Sequence, residues 1–301
     1  MAKKNDQVSN ARRAKHGGLL TFLFSIISIL WISPLFLVLM NSFKKKAFIF
    51  RNPFSLSANK LSDGWDAFVE GIERAWFGWK NYENAIKLTE FFDAFKISLF
   101  ITVASVLVII ICTSMCAWYI TRVHNVVTKG IYVLCLFSMI VPFQMVMFTL
   151  SKFANMLKLS NPLGIIVVYL GFGAGLAVFM FTGFVKGISL EIEEAAMIDG
   201  CNPIQTFFLI VFPILKPTTV TVAILQAMWI WNDFLLPNLV LDIGRYKTLP
   251  IAIQYLKQSH GQVDWGAMMA VLTLAIIPIV AFYIACQKYI IEGVLAGAVK
   301  G

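Results

Sequence analysis

The sequence is poor in acidic residues and in the residues that build catalytic and metal sites. It has 16 Asp and Glu against 25 Lys and Arg in 301 residues, and only three histidines: His16, His124 and His260. It contains no His-Glu-x-x-His, no Gly-x-Ser-x-Gly and no Gly-x4-Gly-Lys-Ser/Thr motif. The sequence therefore predicts no catalytic residue, no metal site and no cofactor bound by this chain. If ATP is used, another chain must bind it.

Apolar residues are abundant and come in blocks. The chain is 59% hydrophobic, with a mean hydropathy of +0.78. Runs of roughly 20 apolar residues match the length of a membrane-spanning helix. The net charge of +9 would suggest a nucleic-acid partner in a soluble chain. Here the basic residues lie in a tail and loops, as is usual in membrane proteins, so we predict an all-α, multi-span membrane protein without a nucleic-acid partner.

The apolar runs predict six transmembrane helices. The basic tail 1–18 precedes a first helix at 19–40 and a long polar loop at 41–94, and a core of five helices at 95–286 precedes the tail 287–301. Basic residues hold flanking segments in the cytoplasm, so we expect both termini inside and 41–94 outside. The lysines at 44–46 oppose this orientation. The five core spans are expected at 95–120, 130–150 (interrupted by Pro142), 164–184, 217–241 and 267–286.

The fourth span is rich in glycine. Gly171, Gly173 and Gly175 are followed by Gly183 and Gly187, again four residues apart. Small residues at this spacing let two helices approach closely. No strand precedes them, so they do not form a nucleotide-binding loop.

One polar segment, residues 189–213, interrupts the core. Ser189 is a suitable N-cap, and Glu191 and Glu193 fall in a first helical turn, where the helix dipole favours acids. Gly200 is a plausible helix stop. Asn202, Pro203 and Gln205 then predict a second capped helix. A helical hairpin on the surface follows, and spacing alone leaves a docking element and a solvated loop equally open.

This segment carries a specific resemblance. Glu194-Ala195-Ala196, three residues, Gly200, nine residues and Ile210-Val-Phe212-Pro213 resemble the E-A-A-x3-G-x9-I-x-L-P motif (EAA motif) of ABC importer permeases. Phe212 replaces the usual Leu. Together with Trp231-Asn232-Asp233 and the ending from Gly293 to Gly301, the motif is similar to the binding-protein-dependent sugar permeases of the MalG-like branch. The resemblance covers most of residues 95–301 and is weak over 41–94.

The resemblance implies a type I ABC importer permease in a bacterial cytoplasmic membrane. Such a chain pairs with a second, homologous permease as a heterodimer. Two ABC ATPase subunits, which use ATP and Mg, dock below, and an extracytoplasmic solute-binding protein delivers the sugar. The segment 189–213 is then the coupling helix, and Glu194 is expected to contact a basic group of the ATPase. The residues implied in ATPase coupling are Glu193, Glu194, Ala195, Ala196, Asp199, Gly200 and Pro213.

A second group of residues is a candidate for the translocation path. Trp229, Trp231, Asn232 and Asp233 give the fifth span an unusually polar stretch. Aromatic faces and hydrogen-bonding side chains bind sugars, and an acid within a span is functional by default. The alternative is structural: Asp233 caps a broken helix before Pro237, or pairs with the partner permease. An ABC permease for another solute and a stand-alone secondary transporter remain the alternative functions.

Overall fold

The computed structural model describes residues 17–256 and 263–298, and of residues 289–298 the backbone only. Most of the basic tail predicted at 1–18 and the last three residues of the chain therefore lie outside the described residues. In the described part all regular structure is helical. The helices of more than five residues are α1 (Gly17–Ser42), α2 (Lys46–Arg51), α3 (Trp65–Ala75), α4 (Lys80–Thr89), α5 (Phe91–Arg122), α6 (Val126–Ile140), α7 (Phe143–Met156), α8 (Pro162–Val185), α9 (Leu190–Ile198), a π-helix (Thr206–Val211), α10 (Lys216–Asn232), α11 (Leu235–Val240), α12 (Leu249–Gln254) and α13 (Trp265–Ala298).

Among these helices, α1, α5, α8 and residues 265–288 of α13 are each long and apolar enough to cross a membrane. Two further spans are bent. The α6–α7 pair turns by 110°, and the stretch Pro203–Ile214 meets α10 at 77°. Counting each bent pair as one span gives the predicted number of six. The fifth of them is then 203–232 rather than the predicted 217–241, because the helix breaks after Asn232.

Three predicted boundaries differ from the structure. The third span is two helices rather than one kinked helix, because Pro142 lacks an N–H and stands as the N-cap of α7. The loop at 41–94 folds into α2, α3 and α4, whose polar and apolar residues alternate at helical spacing. The tail predicted at 287–301 continues α13 as far as Ala298.

One compact unit comprises, of the described residues, 17–85 and 263–274. A buried lysine, Lys44, holds part of this unit together. It is only 1% exposed, and its Nζ donates to the carbonyls of Asn52 (2.7 Å) and Ser55 (2.8 Å). Burial lowers the pKa of the Lys44 ammonium. Nearby, the Phe43 ring stacks on Trp76 at 5.1 Å. Of the lysines at 44–46, Lys44 is therefore a buried structural group rather than a free surface charge.

The second unit comprises, of the described residues, 86–256 and 275–298 and contains the main apolar core. Helix α8 lies at its centre, against α5, α6 and α10. A methyl group added at Gly173 would lie 2.7 Å from Ile109 Cδ1 on α5, and one added at Gly175 would lie 2.6 Å from the Cys135 carbonyl on α6. Gly173 and Gly175 therefore lie at close helix contacts, as predicted for this span, but they are two residues apart, and of the predicted pair Gly171 and Gly175 only the second lies at such a contact. Gly171 and Gly183 meet nothing within 4 Å.

A helical hairpin at the end of the core

The hairpin at residues 189–213 begins with α9. Ser189 has the extended backbone of an N-cap, as predicted, but its side chain makes no capping bond. The helix ends because Gly200 takes a φ of +90°, a conformation that suits glycine. The Cys201 N–H then bonds back to the Ala196 carbonyl at 3.0 Å. The glycine therefore folds the chain sharply at the outer end of α9.

The second arm starts at Asn202 with the predicted capping box. Asn202 Oδ1 accepts from the Gln205 N–H at 2.9 Å, and Gln205 Oε1 accepts from the Asn202 N–H at 2.9 Å. Pro203 occupies the first helical position. The arm widens into the π-helix Thr206–Val211, whose Phe207 is fully buried. The hairpin is thus capped at its turn and held to the core by its second arm.

Glu193 fixes the first arm to the transmembrane core. Its side chain is 2% exposed, and its Oε1 accepts from Arg122 Nη2 at 2.7 Å and Nε at 3.0 Å. Its Oε2 accepts from Trp118 Nε1 at 2.9 Å. Arg122 Nη2 also donates to the Ile188 carbonyl at 3.0 Å. Glu193 therefore points into the protein and joins α9 to the end of α5.

The other acids of the motif point outward. Glu194, Ala195 and Asp199 are exposed, whereas Ala196 is buried with Glu193. Ile198 (86% exposed) and Met197 (48% exposed) form an apolar tip. The outward face is an apolar tip with an acidic rim, which suits a partner with an apolar cleft and basic groups. Gly200 and Pro213 are also exposed.

Sequence reasoning missed two parts of this hairpin. It did not identify Trp118 and Arg122 as the partners of Glu193. The available signal was an arginine just after the span predicted at 95–120. A basic residue at that position is ordinarily attributed to the orientation of the span in the membrane, so it was not matched with an acid. It also overlooked Met197 and Ile198, which look like core residues in an apolar sequence. Their exposure depends on which face of α9 packs inward.

Asp233, the acid of the fifth span, lies at the break between α10 and α11. Its Oδ1 accepts from the N–H groups of Leu235 (3.0 Å) and Leu236 (3.3 Å), which caps α11. Its Oδ2 accepts from the fully buried Tyr169 hydroxyl at 3.0 Å. The observed contacts match the structural alternative for Asp233, since they account for both carboxylate oxygens.

The other three candidate path residues differ in their exposure. Trp231 is 9% exposed and meets the Phe95 ring edge-on at 5.6 Å. It also borders an apolar cavity of about 240 Å³ between α5, α10 and α13, all within the second unit. Trp229 is 41% exposed and Asn232 is exposed. Of the four, Trp229 and Asn232 remain accessible to a ligand.

The chain matches a known protein family over most of its transmembrane core. The model of the family described as binding-protein-dependent transport system inner membrane component matches residues 109–295. The hairpin and its anchor residues all fall inside this range.

Curated relatives match over nearly the whole chain. The chain is 39% identical to a probable starch degradation products transport system permease protein, AmyC, of Thermoanaerobacterium thermosulfurigenes, covering 94% of this chain and 96% of the relative. It is 32% identical to a multiple sugar-binding transport system permease protein, MsmG, of Streptococcus mutans, covering 92% and 95%. It is 30% identical to a melibiose/raffinose/stachyose import permease protein, MelC, of Bacillus subtilis, covering 97% and 99%.

A solved structure shares the fold. A chain of a bacterial ABC transporter involved in the import of the acidic polysaccharide alginate superposes with a TM-score of 0.71. It covers 91% of this chain and 95% of its own length, at 19% sequence identity. The described helices therefore have the type I permease fold.

Proposed function

This chain belongs to the family of binding-protein-dependent transport system inner membrane components, and from that premise we propose that it is one permease subunit of an ATP-driven importer for a sugar or oligosaccharide. A solute-binding protein delivers the substrate from outside. The named activities of the starch-product, multiple-sugar and raffinose-type relatives support a carbohydrate substrate. The chain is a transport subunit, and ATP hydrolysis with Mg takes place on a separate ATPase chain.

The hairpin at 189–213 is the coupling element in this proposal. The observation that carries it is the pairing of an exposed tip with a buried anchor: Ile198 is 86% exposed, while Glu193 is bonded to Arg122 and Trp118. The tip enters a cleft of the ATPase, where Glu194 meets a basic group. Motion of the ATPase is then transmitted through the Glu193–Arg122 pair into α5, which packs against α8.

The small residues of the motif have two different tasks. Ala195 is exposed and lets the ATPase approach the backbone of α9, and Gly200 turns the chain without adding bulk. Ala196 is 6% exposed and lets α9 itself lie close to the core. Asp199 and Pro213 stay on the outer surface, where Asp199 extends the acidic rim.

The remaining partners follow from the same premise. A second, homologous permease completes the path as a heterodimer, and each permease engages one of two ATPases. The large apolar side chains exposed along α7, such as Met145 (77%) and Phe148 (72%), support lipid or permease contacts there. Both termini lie in the cytoplasm and the chain spans the bacterial cell membrane several times.

Substrate contact by this chain is limited to a few residues. Trp229 offers an exposed aromatic face and Asn232 an exposed amide, although Asn232 Nδ2 already donates to the Met228 carbonyl at 2.7 Å. Asp233 holds the helix break, and Trp231 packs inside. Much of the sugar recognition is therefore assigned to the partner permease and the binding protein.

Reconstitution tests the function. The chain, its partner permease, its ATPase and its binding protein are placed in proteoliposomes, and uptake of radiolabelled maltotriose, raffinose and glutamine is measured with and without ATP. The proposal predicts ATP-dependent uptake of at least one saccharide and none of glutamine. Uptake by the chain alone, without the ATPase, would identify a secondary transporter and contradict it.

A further inference from the structure

A basic cavity lies beside the hairpin. The proposed transport mechanism uses Arg122 of its lining but assigns no ligand to the cavity itself. It has a volume of about 640 Å³ and opens where α5 ends, α6 begins and α8 ends. All its lining residues belong to the second compact unit. The polar side chains that line it include Arg122, His124, Lys129, Thr182 and Lys186.

Among the side chains that the structure describes, only part of the positive charge of the cavity is balanced. Glu193 offsets Arg122, with which it pairs at 2.7 Å. Lys129 and Lys186 are exposed and form no ion pair with the side chains of residues 17–256 and 263–288. The two lysines therefore give the cavity positive charge that no described ion pair compensates. An anion bound between them would be attracted by both ammonium groups.

Thr182 supplies an independent indication of a ligand. It is 2% exposed, and its hydroxyl is buried without a hydrogen-bond partner in the described part of the chain. Threonines in apolar helices usually bond back to the carbonyl four residues earlier. Thr121, on the same cavity wall, does so with Ala117 at 2.7 Å. A buried hydroxyl left unpaired costs free energy, and an anionic oxygen that accepted the proton of Thr182 would remove that cost.

The start of α6 adds donors to the same wall. Asn125 caps only the Thr128 N–H, at 2.8 Å, and Val126 lines the cavity at the first helical position. Backbone N–H groups in a first helical turn have no partner within the helix and favour anions. The cavity thus combines flexible cations, a buried hydroxyl and a helix N-terminus.

We infer that this cavity binds a phosphate group, with Lys129 and Lys186 as its charged contacts and Thr182 as the donor at its base. Two sources share this chemistry: the headgroup of an anionic phospholipid and free inorganic phosphate. Basic pockets between transmembrane helices at a membrane face commonly take phospholipid headgroups. Because Arg122 lines the cavity and also anchors Glu193, an occupied site would stabilise the base of the hairpin. This inference does not depend on the sugar specificity proposed above.

The test measures both sources on the full-length purified chain. Native mass spectrometry counts phosphatidylglycerol molecules retained after exchange from mixed phosphatidylglycerol and phosphatidylcholine micelles. Equilibrium dialysis with radiolabelled inorganic phosphate measures soluble phosphate. The variants are the double substitution Lys129→Gln and Lys186→Gln, and Thr182→Val, which removes the hydroxyl at nearly constant shape. A double substitution of Lys152 and Lys216 to Gln, both exposed outside the cavity, removes the same charge.

We expect the wild type to retain at least one phosphatidylglycerol that the cavity double variant loses, while the control double variant keeps it. Thr182→Val should weaken retention several-fold without a change in charge. If only inorganic phosphate distinguishes the wild type from the cavity variants, the site is one for soluble phosphate. If neither probe distinguishes them, or if the control loses binding equally, no phosphate site exists here.

Discussion

Removing the carboxylate of Glu193 tests the anchor of the hairpin. Glu193→Ala deletes the acceptor of two bonds from Arg122 and one from Trp118, at 2.7–3.0 Å. It leaves a guanidinium that is 19% exposed beside an apolar core. The hairpin should then lose its rigid connection to α5.

The magnitude follows from the burial of the pair. Breaking a buried ion pair by removing one partner costs about 3–5 kcal/mol. Because water reaches the partly exposed Arg122, we expect the lower end, about 3 kcal/mol, including about 1 kcal/mol for the unpaired Trp118 N–H. Glu193→Gln retains an oxygen for Trp118 and should cost less, about 1–2 kcal/mol. Glu191→Gln, on the exposed side of the same turn, should stay within about 0.5 kcal/mol.

The assay is thermal unfolding of the purified chain, combined with a double-mutant cycle. At about 1.6 °C per kcal/mol for a chain of 301 residues, Glu193→Ala should lower Tm by roughly 5 °C. The double variant, Glu193→Ala with Arg122→Ala, should lose much less stability than the sum of the losses of the two single variants. The reason is that two residues in contact are coupled by up to about 3 kcal/mol. Glu193 is not an anchor of the hairpin if Glu193→Ala lowers Tm no more than Glu191→Gln does. The same conclusion follows if the stability losses of the two single variants simply add in the double variant.

Four further outcomes are expected. Gly175→Ala places a methyl group 2.5 Å from the Ser138 hydroxyl and should cost about 1–3 kcal/mol, whereas Gly183→Ala meets open space and should be neutral or stabilising; equal Tm values for the two would contradict the packing. Tyr169→Phe leaves one oxygen of Asp233 without its donor and should cost about 1–2 kcal/mol. Asp233→Asn should leave uptake near normal if Asp233 only holds the helix break, while lost uptake at unchanged Tm would assign it to the path. Glu194→Lys should leave the chain in the membrane and abolish ATP-dependent uptake, and normal uptake would remove Glu194 from the coupling contact.

Local chemistry explains what the sequence could predict. The capping box at Asn202, the stop at Gly200 and the close approach at Gly175 depend on neighbouring residues or on the size of a single residue. Each is visible without knowing the tertiary fold. The span count was likewise predictable, because bilayer thickness sets the length of apolar helices.

Tertiary geometry explains what the sequence could not predict. Glu193 and Glu194 are adjacent acids, and only the packing of α9 decides that the first is buried and the second exposed. The 110° turn at Pro142 exceeds a proline kink because α7 starts anew there. The helices in 41–94 were missed because their starts lack strong caps: the N-cap of α3 is Gly64, and neither α3 nor α2 has a side-chain capping bond.

The central claim is that the hairpin tip binds an ATPase, and co-purification tests it most directly. The tagged chain is co-expressed with the ABC ATPase from the same organism, as wild type, as Ile198→Asp and as Val127→Asp, an exposed apolar control outside the hairpin (68% exposed). The three proteins are compared at equal amounts of tagged chain in the membrane. We expect the wild type and the control to retain the ATPase and Ile198→Asp to retain at least ten-fold less of it, equivalent to about 1.4 kcal/mol of binding free energy. Equal retention by all three proteins would contradict the account.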